Sequence, residues 1–254
     1  MVKSSTRWIT MSTNIHESLE QNITHLKETF NHTQDLSIRK LRLSSVSPLK
    51  VTLIYLKEIV NTDSIQEYII TPLLESTKNN TSSTLNIEEV AENVIRIAEV
   101  IVKNNFEDLT DALINGNTVI LFEGYDRGII ADVALSKERG LEQAISERAP
   151  RGVNVGLTEK LNTNISLLRN MVKTHDLCVE KKALGTISKK DVSLIYINGV
   201  VHQVILDEVR RIIDKLSVQY VLEAGTLIQE EIGKFSFFSL IEDSERPDVI
   251  VGAL

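Results

Sequence analysis

The sequence predicts an α/β protein of two similar subdomains that come from an internal duplication, each a small, mostly mixed sheet flanked by helices. Two observations support this fold class. Short apolar stretches of strand length alternate with longer amphipathic stretches of helix length, which is typical of α/β units. In addition, VTLIYLKEIV from Val51 is similar to VSLIYINGVV from Val192, and the offset between them is 192 − 51 = 141. Such an internal repeat indicates that one structural unit occurs twice.

The similarity extends upstream of this pair of apolar stretches. The same offset pairs Asp35 with Asp176. After the insertion of one residue, an offset of 142 pairs Asn22 with Asn164, together with the apolar residues around them. Chance resemblance between amphipathic helix–strand units is the alternative to duplication.

Hydrophobic periodicity and turn signals predict the same opening order of elements in both copies. The first copy is predicted to contain a helix at about 14–31, strands at 36–43 and 50–56, a helix at 62–76, a short helix at 87–95, a helix at 106–116 and a β-hairpin at 117–135. The second copy is predicted to contain a helix at 157–172, strands near 177–181 and 191–197, and a helix at 201–216.

Four residues indicate where the helices of the first copy begin and end. Asp63 or Thr62 is the predicted N-cap of the helix at 62–76. Pro72 inside that helix predicts a kink or an early end, because proline lacks the N–H that a helix needs. Gly116 is predicted to close the helix before the hairpin.

A charged segment that contains several glycines and one proline separates the two copies. We therefore predict a first subdomain with a leading helix at 1–145 and a second subdomain at 146–254, joined through a Gly/Pro-containing linker at about 140–156. The offset of 141 pairs Leu113 with Leu254, so the second copy is expected to be truncated where the first copy enters its hairpin.

Composition excludes several classes of function. The formal net charge is −7 and no dense block of Lys and Arg occurs, so nucleic acid is not expected as a partner. Cys178 is the single cysteine, which is compatible with a reducing compartment and excludes a zinc site made of thiolates. No secretory signal and no stretch of about 20 apolar residues occurs, so the chain as given is expected to be soluble.

Two polar residues fall on or beside the apolar stripe of the helix at 157–172. Asn164 lies inside the stripe, and Asn22 has the same place in the first copy, so each amide is expected to be buried and to bond to the backbone. A ligand contact is the alternative interpretation. Arg169 lies at the edge of the stripe, where its guanidinium can reach a carboxylate, whereas its repeat partner Lys27 lacks the bidentate fork.

No motif for catalysis or cofactor binding occurs. The five histidines show no H-E-x-x-H spacing, and no G-x-S-x-G sequence is present, so no catalytic residue, metal site or cofactor is predicted. The loop RGVNVG from Arg151 to Gly156 precedes a helix but lacks the sequence of a phosphate-binding loop. We interpret this loop as a hinge.

Three stretches of the second copy carry a resemblance to a known family: RGVNVGLTEKLNTNISLLRNMVK, VSLIYINGVV and SLIEDSERPDVIVGAL. They resemble the soluble N-terminal domain of the A subunits of bacterial spore germinant receptors, the GerA family. The residues that match the pattern of that family are Arg151, Gly152, Gly156, Glu159, Asn164 and Arg169. Val153, Val155 and Leu157 stand where the family has a proline, an acidic residue and a phenylalanine, so the chain is identified as a divergent member.

The resemblance implies a function and a set of partners. It implies a signalling and assembly module that couples nutrient sensing to germination, on the cytoplasmic, spore-core side of the inner spore membrane. The implied partners are the B and C subunits of the receptor and the membrane-spanning portion of the same protein, and self-association is left open. The six matching residues are then candidates for contacts and coupling between the subdomains, and no enzyme activity is implied. Two alternatives remain: a module that binds a ligand in the cleft between two lobes, and a sporulation-stage paralogue of the same family.

Overall fold

The computed structural model of the chain describes residues 13–43, 49–79, 86–135, 156–185, 187, 189–215 and 242–254. These ranges form two units, the first from residue 13 to residue 135 and the second from residue 156 onward. The linker predicted at about 140–156 lies outside the described residues, apart from Gly156. The division into subdomains at residue 145 therefore stays a prediction.

The first unit contains one sheet and helices on both of its faces. Its elements, in chain order, are α1 (Leu19–Thr29), β1 (Leu36–Leu43), β2 (Leu49–Leu56), α2 (Thr62–Ile65), a π-helical stretch (Gln66–Ile70), α3 (Thr71–Asn79), α4 (Ile87–Glu89), a second π-helical stretch (Val90–Val94), β3 (Val100–Lys103), α5 (Phe106–Ile114), β4 (Asn117–Phe122) and β5 (Gly128–Asp132).

The sheet of the first unit has five strands in the order β1-β2-β4-β5-β3. The α/β fold class is confirmed, but every pair of strands in the described residues is antiparallel, where a mostly mixed sheet was expected. Short connections join β1 to β2 and β4 to β5, and such connections produce antiparallel neighbours. The position of β3 beside β5 depends on long-range pairing, which local sequence patterns do not reveal.

Two cores cover the two faces of this sheet. On one face, α1 and α5 pack against Ile54 and Leu121. On the other face, α2, α3 and α4 pack with the π-helical stretches against Leu53 and Ile120. Because side chains of a strand alternate between faces, a strand with helices on both sides is apolar at consecutive positions, as LIYL of β2 is.

The helix that follows β2 begins at Thr62, as predicted, but its N-cap lies before the two residues predicted for that role. The side-chain Oδ1 of Asn61 accepts hydrogen bonds from the backbone N–H groups of Asp63 and Ser64, at 3.1 Å each. Asn61 is therefore the N-cap, and the prediction of Asp63 or Thr62 is wrong. Asparagine, like aspartate, caps a helix by offering an oxygen to its first free N–H groups.

This helix continues through Pro72 to Asn79. The backbone widens into the π-helical stretch just before the proline, and the hydroxyl of Thr71 donates a hydrogen bond of 2.9 Å to the carbonyl oxygen of Gln66. A π-helical stretch commonly marks a place where the regular hydrogen-bond ladder is interrupted, and proline interrupts it by lacking an N–H.

The second unit repeats the opening elements of the first. They are α6 (Leu161–Met171), β6 (Leu177–Leu184), β7 (Lys190–Ile197) and α7 (Gln203–Lys215), followed by α8 (Pro247–Ala253). Strands β6 and β7 pair with each other, and α8 lies beside α6.

The two units correspond position by position along these elements. The offset of 141 relates the first residues of β6 and β7 to those of β1 and β2, and both pairs keep the same register, with Leu36 opposite Leu56 and Leu177 opposite Ile197. The first residues of α6 and α1 are related by the offset of 142, and those of α8 and α5 by the offset of 141. The stretches at 51–56 and 192–197 thus occupy equivalent places, as the repeat predicted. Descent from one duplicated gene segment stays a prediction.

Candidate functional site: the joint between the two units

The two units meet at a joint, which comprises residues 30–35 and Glu58 of the first unit and residues 169–181 of the second. The first-unit residues lie in the loop between α1 and β1 and in the turn after β2. The second-unit residues lie at the end of α6, in the loop after it and along β6. Arg169, one of the predicted candidate site residues, lies in this region, and Asn164, another of them, lies on the same helix. We therefore treat the joint as the candidate site.

A buried ion pair between Arg169 and Asp35 forms the centre of the joint. The Nε atom of Arg169 donates to Oδ2 of Asp35, and Nη2 donates to Oδ1, both at 2.8 Å. The side chains are 2% and 0% exposed. A guanidinium matches a carboxylate with two parallel hydrogen bonds, and this geometry offsets the cost of removing both charges from water.

Two further oxygens complete the surroundings of the guanidinium. Arg169 Nη2 donates to the hydroxyl of Thr33 at 3.2 Å, and Nη1 donates to the carbonyl oxygen of Thr174 at 3.5 Å. The Thr33 hydroxyl in turn donates to Oδ1 of Asp35 at 2.6 Å. The charged groups are thus held by hydrogen bonds in both units, which fixes how the units sit against each other.

The loop of the first unit also covers the outer edge of strand β6. The backbone N–H of Val179 donates to the hydroxyl of Thr33 at 2.9 Å, and the N–H of Gln34 donates to the carbonyl of Val179 at 3.0 Å. The N–H of Lys181 donates to Oε1 of Gln34 at 2.7 Å. An uncovered strand edge presents unpaired backbone groups, and the loop satisfies these groups on β6.

A second ion pair and three asparagines extend the joint. The ammonium of Lys181 pairs with Glu58, whose side chain is 2% exposed, and it also lies 3.1 Å from Oδ1 of Asn162. Asn31 donates to Asp176 at 3.2 Å and accepts from Asn198 at 2.7 Å. The contacts of Glu58 and Asn31 with the second unit add polar interactions between the units to the buried ion pair.

Asn164 and Asn22 make the same local contact in the two units. Oδ1 of Asn164 accepts from the N–H of Thr158 at 2.8 Å, and Nδ2 donates to the carbonyl of Thr158 at 2.7 Å. Oδ1 of Asn22 accepts from the N–H of His16 at 2.8 Å, and Nδ2 donates to its carbonyl at 2.6 Å. Each amide therefore binds the backbone six residues earlier, as predicted. The expected burial is confirmed for Asn22, which is fully buried, but it is wrong for Asn164, which is only half-buried.

The structure brings together few of the six predicted site residues. Arg151 and Gly152, with most of the loop interpreted as a hinge, lie outside the described residues. Gly156 is buried, and Glu159 is exposed before α6. Asn164 has a local structural contact, so Arg169 is the one of the six that the described residues place inside the joint.

Sequence reasoning missed the partners of Arg169. Thr33 and Asp35 belong to the sequence TQDL, which recurs as THDL at Thr174–Leu177, and this recurrence was a usable signal. Glu58 gave no signal, because its equivalent at the offset of 141 is Gly199.

A surface pocket of about 420 Å³ lies beside the joint. It is lined by Thr13, His25, Thr29, Asn105, Phe106, Glu107, Thr110, Asp111 and His175. The ring of His25 stacks on Phe106 with 3.7 Å between ring centroids, and burial together with the nearby His16 lowers the pKa of His25. Among the described residues, no group of three or more His, Cys, Asp and Glu side chains could hold a metal ion.

Within the described ranges, no helix is both long enough and apolar enough to cross a membrane.

Comparisons with known proteins place the chain among spore germination proteins. The model of the family described as Bacillus/Clostridium GerA spore germination protein matches residues 24–254. Spore germination protein KA of Bacillus subtilis (strain 168) is 29% identical over 243 residues, which are 94% of this chain and 44% of that protein. The uncharacterized membrane protein YfkQ of the same strain is 30% identical over 246 residues, or 96% of this chain and 46% of that protein. The chain spans just under half the length of these two relatives.

A solved structure has the same fold. The crystal structure of the N-terminal domain of the A subunit of the Bacillus megaterium spore germinant receptor GerK3 matches with a TM-score of 0.70. The match covers 94% of this chain and 88% of that chain, at 24% sequence identity. Because the family model matches from residue 24 to the last residue, this chain belongs to the GerA family of spore germination proteins.

Proposed function

We propose that this chain is the cytoplasmic N-terminal domain of a spore germinant receptor A subunit. In this role it is a signalling and assembly module that couples nutrient sensing to germination. Its partners are the B and C subunits and a membrane-spanning portion of the same protein, located in the inner spore membrane. The family match and the fold shared with the GerK3 domain support this proposal.

The buried ion pair between Arg169 and Asp35 is the observation that carries the mechanism. A module that transmits a conformational change must hold its two units in a defined arrangement. With a flexible connection, a displacement of one unit would not move the other. The bidentate pair, the covered edge of β6 and the pair between Lys181 and Glu58 hold the two units together. The joint is therefore the element to whose conformation the partner subunits respond.

Substitution at the joint in the whole receptor tests this function. Arg169→Lys keeps the positive charge and removes the bidentate fork, so we expect slower germination after nutrient is added, with the receptor still present in the spore membrane. Arg211→Lys is the matched control, since Arg211 lies on the exposed surface of α7 and its pairing with Glu208 is local. Normal germination of Arg169→Lys spores, at normal receptor abundance, would contradict the proposed role of the joint.

The pocket beside the joint supports the alternative function, a module that binds a ligand between its two lobes. Its lining contains residues of the first unit and His175 of the second, so an occupant would contact both. Calorimetry of the chain with amino acids and sugars separates the two functions. Heat of binding that disappears in a Thr110→Trp variant, which fills the pocket, would favour the ligand-binding function. A chain that binds none of these nutrients would favour the signalling module.

A further inference from the structure

The β1–β2 hairpin carries positive charge without compensating negative charge. Residues 36–56 contain four basic residues and no acidic one, whereas the formal net charge of the whole chain is −7, so the rest of the chain has a net charge of −11. The basic residues, which we call the basic end of the hairpin, are Arg39, Lys40, Arg42 and Lys50. All four are exposed, and within the described residues none of them forms an ion pair.

Three of these cations lie close together on one face of the sheet. Arg42 and Lys50 are directly opposite each other in the pairing of β1 with β2. Lys40 precedes Arg42 by two residues, so its side chain points to the same face. Like charges at directly opposite positions destabilise a pair of strands. An anionic partner that lies against both strands would remove this repulsion.

The strand on the other side of β2 does not neutralise this face. Glu123 directly follows β4, and its backbone N–H donates to the carbonyl oxygen of Lys50 at 3.0 Å. Its carboxylate has a different partner, because Oε2 accepts from the backbone N–H of Leu19 at 3.3 Å. The basic end is therefore open to a partner outside the described part of the chain.

The equivalent hairpin of the second unit shows that the fold does not require the basic end. Residues 177–197 also contain four lysines, but Glu180 and Asp191 lie among them. Ala183 and Asp191 occupy the positions of Arg42 and Lys50, and they pair in the same register. An uncharged residue thus faces an acidic one where the first unit has two cations. The repeat therefore separates the charge of the first hairpin from its backbone structure.

The positions of the cations favour an extended anionic surface over a small anion or a single acidic strand. Side chains alternate between the faces of a strand, so Arg39 lies on the face opposite to Lys40 and Arg42. A small anion beside Arg42 and Lys50 would not reach Arg39. An acidic strand paired with the outer edge of β1 would be separated from Lys50 by β1 itself. A broad surface against the end of the hairpin meets cations of both strands and both faces, because their long side chains can bend toward it.

We propose that the basic end of the β1–β2 hairpin docks on the surface of an anionic lipid bilayer. Each basic residue close to such a surface strengthens binding about fivefold, which corresponds to about 1 kcal/mol. The same surface repels the acidic remainder of the chain, so the contact is confined to the hairpin and gives the chain one orientation on the bilayer. This inference goes beyond the proposed function, which places the chain beside a membrane but assigns it no contact with lipid.

Partitioning onto lipid vesicles tests this contact. We expect the chain to sediment at low ionic strength with vesicles that contain phosphatidylglycerol, and to stay in solution with vesicles of phosphatidylcholine alone. The test variant is Arg42→Ala with Lys50→Asp, which introduces the residues that the second unit has at these positions. Its partition coefficient should fall by at least about 25-fold, which is two fivefold losses. The matched control is Lys27→Ala with Lys160→Asp, which changes the net charge equally at two exposed cations outside the hairpin and should keep its binding.

A second variant and a stability measurement separate lipid contact from an effect on folding. Lys40→Gln removes a single exposed cation and should weaken partitioning about fivefold. The test variant should unfold thermally at no lower temperature than the unaltered chain, because it removes the like-charged pair.

Three results would overturn the proposal. The first is a chain that does not sediment with the phosphatidylglycerol vesicles. The second is a control variant that loses as much binding as the test variant, since net charge alone would then determine partitioning. The third is tighter binding to polyglutamate than to the vesicles at equal concentration of negative charge, since the basic end would then fit an acidic protein. None of these results depends on the signalling function, which is measured by germination of spores.

Discussion

Arg169 and Asp35 lie 134 residues apart in the sequence and form a two-bond ion pair with almost no exposure to solvent. The pair connects the last turn of α6 in the second unit to the start of β1 in the first. It combines the main properties of the joint, which are burial, charge and well-aligned hydrogen bonds between two separate units.

Removal of one partner of this pair should destabilise the chain strongly. Asp35→Leu leaves the guanidinium of Arg169 buried without its carboxylate, and loss of one partner of a buried pair typically costs about 3–5 kcal/mol. The double variant Asp35→Leu, Arg169→Met removes both charges and should cost less than Asp35→Leu alone. Urea denaturation of the three chains measures the difference. A double variant that is less stable than Asp35→Leu would show that the pair does not interact as described.

Asn164→Leu should lower the free energy of unfolding by about 1–3 kcal/mol, because the backbone groups of Thr158 lose their hydrogen-bond partner. Asn22→Leu removes the equivalent contact with His16 at a fully buried position, so we expect a loss at the upper end of that range. The measurement is the denaturation midpoint at an unchanged slope. A neutral Asn22→Leu would mean that the amide is dispensable for the fold.

Gly116→Ala should destabilise the first unit more than Gly124→Ala does. Both glycines have positive φ, +89° and +85°, and an L-residue there costs roughly 1–2 kcal/mol. A Cβ on Gly116 would in addition lie 2.9 Å from the carbonyl oxygen of Ile59, whereas a Cβ on Gly124 would meet no atom within 4 Å. Thermal unfolding of the two variants tests the ranking, and equal losses would indicate that the turn at Gly116 relaxes.

Acidification should reduce the contribution of Glu180 to stability. The hydrogen bonds from Arg210 hold the pKa of Glu180 below its ordinary value of 4.5. A carboxyl with a lowered folded-state pKa contributes stability that is fully present above about pH 4.5 and is lost as the pH falls through the folded-state pKa. Glu180→Gln should therefore be less stable than the unaltered chain at pH 7, and the difference in free energy of unfolding should narrow as the pH falls below 4.5. A gap that is independent of pH would contradict this account.

Particular residues show which structural features local sequence patterns predict. Periodicity and turn chemistry predicted both bounds of β1 and the first residue of α5, and the structure confirms them. Helix α5 ends at Ile114, two residues before the predicted end, and Gly116 follows it at positive φ. The contact of Asn164 with Thr158 was predicted as a backbone hydrogen bond, because it joins residues only six apart and depends on the phase of one helix. The N-cap at Asn61 was missed by one residue, since several neighbouring polar residues can cap the same helix.

The sequence by itself determined the α/β class, the order of the elements other than β3 and α8, and the correspondence between the two units, because these depend on patterns within a few dozen residues and on their recurrence. Strand β3 and helix α8 were not predicted. Only the tertiary structure decided that the sheet is antiparallel in its described strands, and that Arg169 meets Asp35 rather than another carboxylate. Lys27 and Arg169 occupy equivalent positions, yet one is exposed and the other is buried at the joint. The physical reason is that Arg169 becomes buried and paired only when one folded unit packs on the other. The sequence pattern within each unit is the same whether or not the surface around Lys27 or Arg169 is covered.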